Sequence, residues 1–220
     1  AGLPGLGLSL PNGAAETMCA FGHALLEKNQ VMNLTAITDP EQVAKLHFLD
    51  SLTLLTLADF RQKRVIDVGC GGVPLKIACP EMELTLLDSL GKRMAWLAET
   101  LPSLNITASC ITARAEEAVA SRREQFDFAV SRAVARLPVL CELCLPYVKV
   151  GGAFLSMKGA AAPEEVQEAR QAIALLGGRL EQLVTFSIGG AEHAVAVIRK
   201  VRPTPPAYPR RFGKIKQQPL

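Results

Sequence analysis

The alternation of apolar and polar positions divides the chain into two N-terminal helices followed by a regular series of strands and helices. Residues 14–32 place their apolar side chains at helical spacing, which predicts the first helix. A second helix is predicted over residues 40–57, with Asp39 as its N-cap and Pro40 in its first turn. The N-terminal 60 residues are therefore expected to be helical.

Beyond these helices the pattern predicts seven strands, over residues 64–68, 84–87, 106–111, 126–131, 152–157, 182–188 and 194–201. Five helices separate the first six strands, over residues 73–79, 92–100, 116–121, 137–147 and 163–176. Only Gly189 and Gly190 lie between the last two strands, which indicates a hairpin. Strands alternating with helices imply parallel crossovers, so we predict an α/β, mostly parallel sheet with a terminal antiparallel strand. This architecture resembles the Rossmann-like fold of class I S-adenosylmethionine-dependent methyltransferases.

The composition agrees with a globular protein. The chain has 220 residues, of which 49% are hydrophobic and 20% charged, and this excludes disorder. No run of about 18 uncharged apolar residues occurs, so we expect no membrane span. Residues 1–10 lack a basic start and are broken by Gly and Pro, so no secretory signal is expected. We therefore expect a cytoplasmic protein with reduced thiols.

Two of the six cysteines, Cys141 and Cys144, form a C-x-x-C pair within an apolar helical pattern. Zinc or redox chemistry is one interpretation, but no second Cys or His pair accompanies them. Core packing is the better interpretation, and we expect no metal.

The net charge of +3 conceals an uneven distribution. Seven of the 24 basic residues and none of the 21 acidic ones lie within residues 199–220, so the rest of the chain carries a charge of −4. This segment also contains five prolines, which predicts an extended tail rather than a helix or strand. Its cationic and aromatic residues match an arm that follows phosphates, although basic Pro-rich ends are often only solvated linkers. The candidate RNA-binding residues here are Arg210, Arg211, Lys214 and Lys216.

A glycine turn follows the first predicted strand. Glycines such as Gly69 and Gly71 allow backbone N–H groups to approach a ligand closely at a helix N-terminus. Asp88 ends the second strand 19 residues after Gly69, where a carboxylate can accept hydrogen bonds from ribose hydroxyls. A dinucleotide turn requires a third glycine where Pro74 stands, and Asp67 before the turn is typical of methyltransferases. The pattern favours S-adenosylmethionine over NAD, with Asp67 expected to hold the turn and to face the cationic methionyl end of the cofactor.

Several short motifs make the resemblance specific. They are Asn33-Leu34-Thr35, His47-Phe48-Leu49-Asp50-Ser51, Asp67-Val68-Gly69-Cys70-Gly71, Leu86-Leu87-Asp88-Ser89-Leu90-Gly91-Lys92-Arg93, Arg114-Ala115-Glu116-Glu117, Ser131-Arg132-Ala133, Lys158-Gly159 and Pro203-Thr204-Pro205. In this order they resemble the bacterial 16S ribosomal RNA guanine-N7 methyltransferases, also called the glucose-inhibited division protein B family. The resemblance spans residues 30–220. It implies S-adenosylmethionine as the cofactor, and 16S ribosomal RNA or the small ribosomal subunit as the partner.

Carried over residue by residue, the resemblance implies cofactor contacts at Gly69, Asp88, Ser89, Leu90, Ala115, Glu116 and Arg132. Arg132 follows a central strand, and it is a candidate positioning residue that can hold a carboxylate or phosphate. A surface salt bridge is the alternative. Lys92 and Arg93 begin a helix beside this site, where phosphate contact competes with a solvated helix face. For His47 the simpler interpretation is a hydrogen-bonded core histidine, and for Trp96 it is core packing.

The glycine turn departs from the family pattern, D-x-G-x-G-A-G-F-P-G-[IV]-P-L. Here Gly71 is followed directly by Gly72-Val73-Pro74-Leu75, so about four residues of Ala-Gly-Phe-Pro type are absent. Either the short turn is real and alters the pocket, or the sequence in hand lacks these residues. The matching residues on both sides favour the second explanation.

The expected chemistry needs no catalytic acid or base. N7 of guanine has a free lone pair and no proton to lose, so alignment and desolvation can supply the rate. We therefore assign no catalytic residue. Ser131-Arg132-Ala133-Val134 stands where enzymes that methylate base amines have an (Asp/Asn)-Pro-Pro-(Tyr/Phe) run. Two alternatives remain: a small-molecule methyltransferase, and a non-catalytic RNA- or ribosome-binding module.

We predict three segments: an N-terminal helical extension over residues 1–60, a methyltransferase core over 61–202, and a basic Pro-rich tail over 203–220. The protein is expected to be a monomer.

Overall fold

The computed structural model describes residues 3–35, 37–69, 71–132 and 134–220. Cys70 of the predicted turn and Ala133 of the Ser-Arg-Ala motif lie outside the described residues. Within the described part, no helix combines the length and apolar character needed to cross a membrane.

Seven strands form one sheet in the order β3-β2-β1-β4-β5-β7-β6. The strands are β1 Arg64–Val68, β2 Glu83–Asp88, β3 Ser109–Thr112, β4 Phe126–Arg132, β5 Val148–Gly159, β6 Gly178–Ile188 and β7 Ala191–Lys200. Strands β1 to β5 are parallel, and β7 runs antiparallel to both β5 and β6. This confirms the predicted fold class and the hairpin. Gly189 and Gly190, at its turn, both have a positive φ, which glycine adopts without strain.

The α-helices are α1 Ala14–Met32, α2 Pro40–Gln42, α3 Asp50–Leu52, α4 Val73–Ala78, α5 Gly91–Ser103, α6 Ala115–Ala118, α7 Leu137–Cys144, α8 Ala162–Glu168, α9 Arg170–Leu175 and α10 Phe212–Gln217. Between α2 and α3, Val43–Leu49 is wound as a π-helix, and Thr53–Thr56 continues α3 as a 3-10 turn. The predicted helix over residues 40–57 is thus one helical segment of mixed winding. The Asp39 side chain caps it by accepting from the Gln42 N–H, as predicted.

The N-terminal helices pack on the sheet and share its core. Phe21 of α1 and Phe48 of the π-helix are buried in one apolar cluster with sheet residues such as Val65 and Leu155. The other face of the sheet is covered by α7, α8 and α9, and Cys141 and Cys144 are both fully buried there. Burial raises the pKa of both thiols. These cysteines occupy the core positions that the sequence favoured.

The C-terminal tail differs from the predicted extended arm. Residues 212–217 form helix α10, and Ile215 on that helix is completely buried against the body. The prolines lie on either side of these six residues, so the segment between them is free to form a helix. The positive charge counted over residues 199–220 is also less available to a partner than expected. Lys200, at the end of β7, is fully buried, and its Nζ donates to the carbonyls of Leu145 and Val148.

Candidate cofactor and acceptor cleft

A cleft of about 1110 Å³ opens where the parallel strands end. Sheets of this type bind ligands at the carboxyl ends of their strands, near the point where the strand order reverses. In this sheet the order reverses between β1 and β4. Most of the predicted cofactor residues line the cleft: Gly69, Asp88, Ser89, Leu90, Ala115, Glu116 and Arg132.

The first half of the cleft lies over β1, β2 and β3. Gly69 follows β1 with φ +108°, and a Cβ at this position would lie 2.4 Å from Val134 Cγ2. Only glycine therefore permits this backbone conformation and the close approach of residue 69 to Val134. Leu90 and Val134 are unusually exposed for large apolar side chains, at 54% and 47%, and both line the cleft. They offer apolar contact surface to a ligand.

Asp88 ends β2 and directs its carboxylate into the cleft. Its Oδ1 accepts from the Leu90 N–H at 2.8 Å, and its Oδ2 accepts from Arg93 Nη1 at 2.6 Å. Arg93 therefore pairs with the carboxylate, whereas Lys92 is exposed and does not line the cleft. A carboxylate has about four acceptor sites. Asp88 thus retains the capacity to accept ribose hydroxyls.

Asp67 and Gly71 lie beneath the cleft rather than in its wall. Asp67 Oδ2 accepts from the Gly72 N–H, and the Gly71 carbonyl accepts from Ser51 Oγ at 3.0 Å. Burial raises the pKa of Asp67 to about 7, although the hydrogen bond from the Gly72 N–H and the Arg132 charge oppose the shift. Asp67 therefore holds the turn, as predicted, but it does not line the cleft where the cofactor's methionyl end was expected to face it. Gly71 is placed against Arg132 instead of the cleft. In this chain Gly72 directly follows Gly71. That the sequence in hand lacks about four turn residues of the natural protein stays a prediction.

Arg132, at the end of β4, turns toward the N-terminal helical segment. Its Nη1 donates to the His47 carbonyl at 2.7 Å and to Ser51 Oγ at 3.1 Å. Its Nη2 lies 2.8 Å from His47 Nδ1, and a guanidinium only donates, so this imidazole presents a lone pair. Burial and, secondly, the Arg132 charge lower the pKa of His47 to about 3. Much of the donor capacity of Arg132 is therefore used inside the protein.

The second half of the cleft lies over β4, β5 and β7, and its walls carry charged groups. Lys158 Nζ, at the end of β5, lies 2.8 Å from Glu165 Oε2 of α8. On another wall, His193 Nδ1 lies 3.0 Å from Asp50 Oδ1 of α3. Burial raises the pKa of Asp50, and the nearby His193 and Arg132 oppose that shift. All four side chains are at least four-fifths buried.

Sequence reasoning missed His193, because the residue is 143 positions from Asp50 and no local motif marks it. The signal available was its place next to the Gly189-Gly190 turn, which returns the chain to the ligand-binding edge of the sheet. Among the described residues, no group of three or more His, Cys, Asp or Glu side chains could hold a metal ion.

The predicted tail residues fall into two groups. Arg210 is held inside the protein, because its guanidinium pairs with the fully buried Glu142. Arg211, Lys214 and Lys216 are exposed on or next to α10. The ring of Phe212 lies 5.2 Å from the Arg114 guanidinium and lines the cleft. A smaller pocket of about 470 Å³ adjoins it between residues 114–117 and 209–213.

A family model described as GidB, rRNA small subunit methyltransferase G, matches residues 14–195. This chain belongs to that family. A "Ribosomal RNA small subunit methyltransferase G" of Lachnoclostridium phytofermentans is 44% identical over 229 residues, with 100% of this chain and 95% of the relative covered. The protein of the same name from Acetivibrio thermocellus is 42% identical over 228 residues, with 100% and 94% covered.

Solved structures agree with the methyltransferase G family on the fold. A "SAM dependent methyltransferase from Aquifex aeolicus" superposes with a TM-score of 0.55 at 16% identity, over 73% of this chain and 93% of that one. A 16S rRNA (adenine(1408)-N(1))-methyltransferase from Catenulisporales acidiphilia gives 0.54 at 15% identity, over 66% and 88%. The predicted class I methyltransferase fold is thereby confirmed.

As a member of the methyltransferase G family, the protein is an S-adenosylmethionine-dependent methyltransferase, and its cleft fits that cofactor. The glycine backbone at Gly69 permits close approach, Asp88 has acceptor sites for ribose hydroxyls, and Leu90 offers apolar surface. These features suit a nucleoside with a small charged end.

Proposed function

We propose that this protein transfers a methyl group from S-adenosylmethionine to N7 of a guanine in 16S ribosomal RNA. The observation that carries the proposal is the two-part cleft, with nucleoside-binding features over β1 to β3 and a polar, charged half over β4, β5 and β7. The family membership supports the same reaction. When bound, the cofactor supplies a methyl group on a sulfonium.

In this proposal the chain binds and aligns two reactants. Asp88 accepts hydrogen bonds from the ribose, the Gly69 backbone allows close approach, and residues 113–116 border the same half of the cleft. Arg132 is a positioning residue: it joins β4 to the helical segment that carries His47 and Asp50. Because N7 has no proton to remove, orientation and exclusion of water suffice for the chemistry.

We propose that exposed cations beside the cleft contact RNA phosphates. Arg211, Lys214 and Lys216 on the tail and Lys92 at the start of α5 are exposed on the described chain. Arg93 and Arg210 are not free to contact phosphates in this way, because Arg93 pairs with Asp88 and Arg210 pairs with Glu142. In this proposal they hold those carboxylates in place. The division into an N-terminal extension (1–60), a core (61–202) and a tail (203–220), a monomeric state and a cytoplasmic location belong to the same proposal.

The decisive experiment supplies labelled S-adenosylmethionine and purified protein to small ribosomal subunits from a strain that lacks this modification. We expect about one 7-methylguanosine per 16S RNA, located by mass mapping. Subunits from a modified strain serve as the control and should accept no label. Failure to label the unmodified subunits or their naked RNA would contradict the proposal.

Two simpler measurements address the alternatives. Calorimetry with S-adenosylmethionine should show binding, whereas its absence would favour a non-catalytic RNA-binding module. Labelling of a panel of small molecules in preference to RNA would favour a small-molecule methyltransferase.

A further inference from the structure

A histidine–carboxylate pair lies in the half of the cleft over β4, β5 and β7. His193 stands near the start of β7 and is paired with Gly159 at the end of β5. Since β7 is antiparallel, its beginning lies at the ligand-binding edge of the sheet. Asp50 reaches the same point from α3, so the pair joins the helical segment to the edge hairpin.

The contact with Asp50 defines which nitrogen of His193 carries hydrogen. Asp50 Oδ1 lies 3.0 Å from Nδ1, and a carboxylate oxygen only accepts, so Nδ1 carries the hydrogen. In the neutral ring Nε2 is then a hydrogen-bond acceptor. No residue in the described part of the chain hydrogen-bonds to this Nε2, and the His193 side chain, 16% exposed, lines the cleft.

We propose that His193 Nε2 accepts a hydrogen bond from the Watson–Crick edge of the acceptor guanine, at N1–H or the 2-amino group, and that Asp50 is its positioning residue. The inference rests on the proposed function and adds a recognition residue to it. With the nucleoside cofactor over β1 to β3, the half of the cleft over β4, β5 and β7 is left for the base. His193 borders that half.

This contact distinguishes guanine from adenine. N1 of adenine is an acceptor, so it would place a lone pair against the lone pair of Nε2. A buried polar group left without its partner is a strong basis for rejecting the wrong substrate.

The same hydrogen bond strengthens during the reaction. As the N7–methyl bond forms and the sulfur–methyl bond breaks, the bonding electron pair moves to sulfur, and the positive charge moves to the guanine ring. N1–H becomes a stronger donor, and its proton stays on N1, shared with Nε2. The interaction is therefore stronger in the transition state than in the bound substrate, which is the condition for raising kcat.

Variants of His193 test this role in the full-length protein acting on unmodified small subunits. His193→Phe keeps a ring without an acceptor and should lower kcat/KM by about tenfold to a hundredfold, mostly through kcat. His193→Gln returns an acceptor oxygen and should recover part of that loss. His23→Phe, an exposed histidine on α1, is the matched control and should retain wild-type kinetics. Cofactor affinity by calorimetry should be the same in all four proteins.

A second measurement does not depend on activity. In protein labelled with ¹⁵N-histidine, neutral His193 should be the Nδ1–H tautomer, and Asp50→Asn should disturb this preference. An Nε2–H tautomer in the wild type would overturn the inference. So would His193→Phe with kinetics within twofold of wild type. Wild-type protein that binds cofactor but methylates no subunit would instead contradict the proposed function, and the guanine assignment with it.

Discussion

Arg210 in the tail and Glu142 in α7 form an ion pair in which Nη2 lies 2.6 Å from Oε2, with Glu142 completely buried. The Arg210 N–H and Nε also donate to Glu142 Oε1, at 2.8 and 2.9 Å. The basic tail is thus anchored in the core of the body through one of its own cations, and Ile215 adds a buried apolar contact.

The first prediction is that Arg210→Met destabilises the protein by about 3–5 kcal/mol, because Glu142 is left buried without its partner. Urea unfolding measures the change. Arg211→Met is the matched control, because Arg211 is the exposed neighbour, and it should change stability by no more than about 0.5 kcal/mol. Equal effects of the two substitutions would show that the ion pair does not anchor the tail.

This anchoring changes how the tail's role in RNA binding has to be tested. Deletion of residues 203–220 would remove the partner of Glu142 together with Ile215, so we expect it to destabilise the body as well as remove the cations. Substitution of exposed residues avoids that problem.

The second prediction concerns Arg211→Ala combined with Lys214→Ala. This pair should weaken RNA binding and reduce the slope of log K against log salt by about 1–2, since each cation that contacts a phosphate releases a counterion. Lys63→Ala with Arg179→Ala is the matched control. Both residues are exposed and lie where β1 and β6 begin, at the ends of the strands away from the cleft. An unchanged salt slope in the first variant would remove these residues from the interface. Calorimetry should give the same cofactor affinity for both variants.

The sequence predicted the sheet well because strand and helix periodicities are local. All seven strands, the parallel crossovers and the Gly189-Gly190 hairpin are confirmed, with shifts of a few residues such as β3 at Ser109–Thr112 instead of 106–111. The predicted helix over residues 163–176 is two helices that meet at Ala169. The proline content of residues 199–220 wrongly predicted an extended conformation throughout. It is an average over 22 residues, whereas α10 occupies six residues that contain no proline.

Contacts between residues distant in sequence could not be predicted in this way. The local pattern shows Arg210 as one of several tail cations, and its burial depends on Glu142, 68 positions earlier. The sequence likewise predicts that Lys200 is an exposed cation, although its side chain lies in the core and donates to two carbonyls. The pairing of His193 with Asp50 also depends on the assembled sheet. The glycine turn and Asp88 were recognisable because a nucleoside site needs them at a characteristic spacing.

The third prediction is that Asp88→Asn weakens S-adenosylmethionine binding by about tenfold to a hundredfold, because hydrogen bonds to a charged acceptor contribute about 1.5–3 kcal/mol. Calorimetry measures the affinity. Glu83→Gln is the matched control, since Glu83 is the exposed first residue of the same strand, away from the cleft. Arg93 also loses its ion pair in Asp88→Asn, so Arg93→Met has to be measured beside it. If Arg93→Met alone reproduced the full loss, the ribose contact at Asp88 would be refuted.

The fourth prediction concerns acid stability and His47. Burial and the Arg132 charge lower the pKa of His47 to about 3, below its ordinary value of 6.5. The unfolded chain therefore binds this proton more readily, so the stabilisation is complete above pH 6.5 and is lost as the pH falls toward 3. The slope contributed by this one group is at most about 1.4 kcal/mol per pH unit.

Urea unfolding at pH 7.5, 6, 5.5 and 5 tests this, because most carboxylates remain ionised over that range. The free energy of unfolding of the wild type should fall more steeply with acid than that of His47→Gln, which has no proton to gain. His23→Gln should follow the wild-type curve, since His23 is exposed on α1. Parallel curves for the wild type and His47→Gln would mean that His47 is protonated as easily in the folded protein as in the unfolded chain, and that Arg132 does not face a neutral ring.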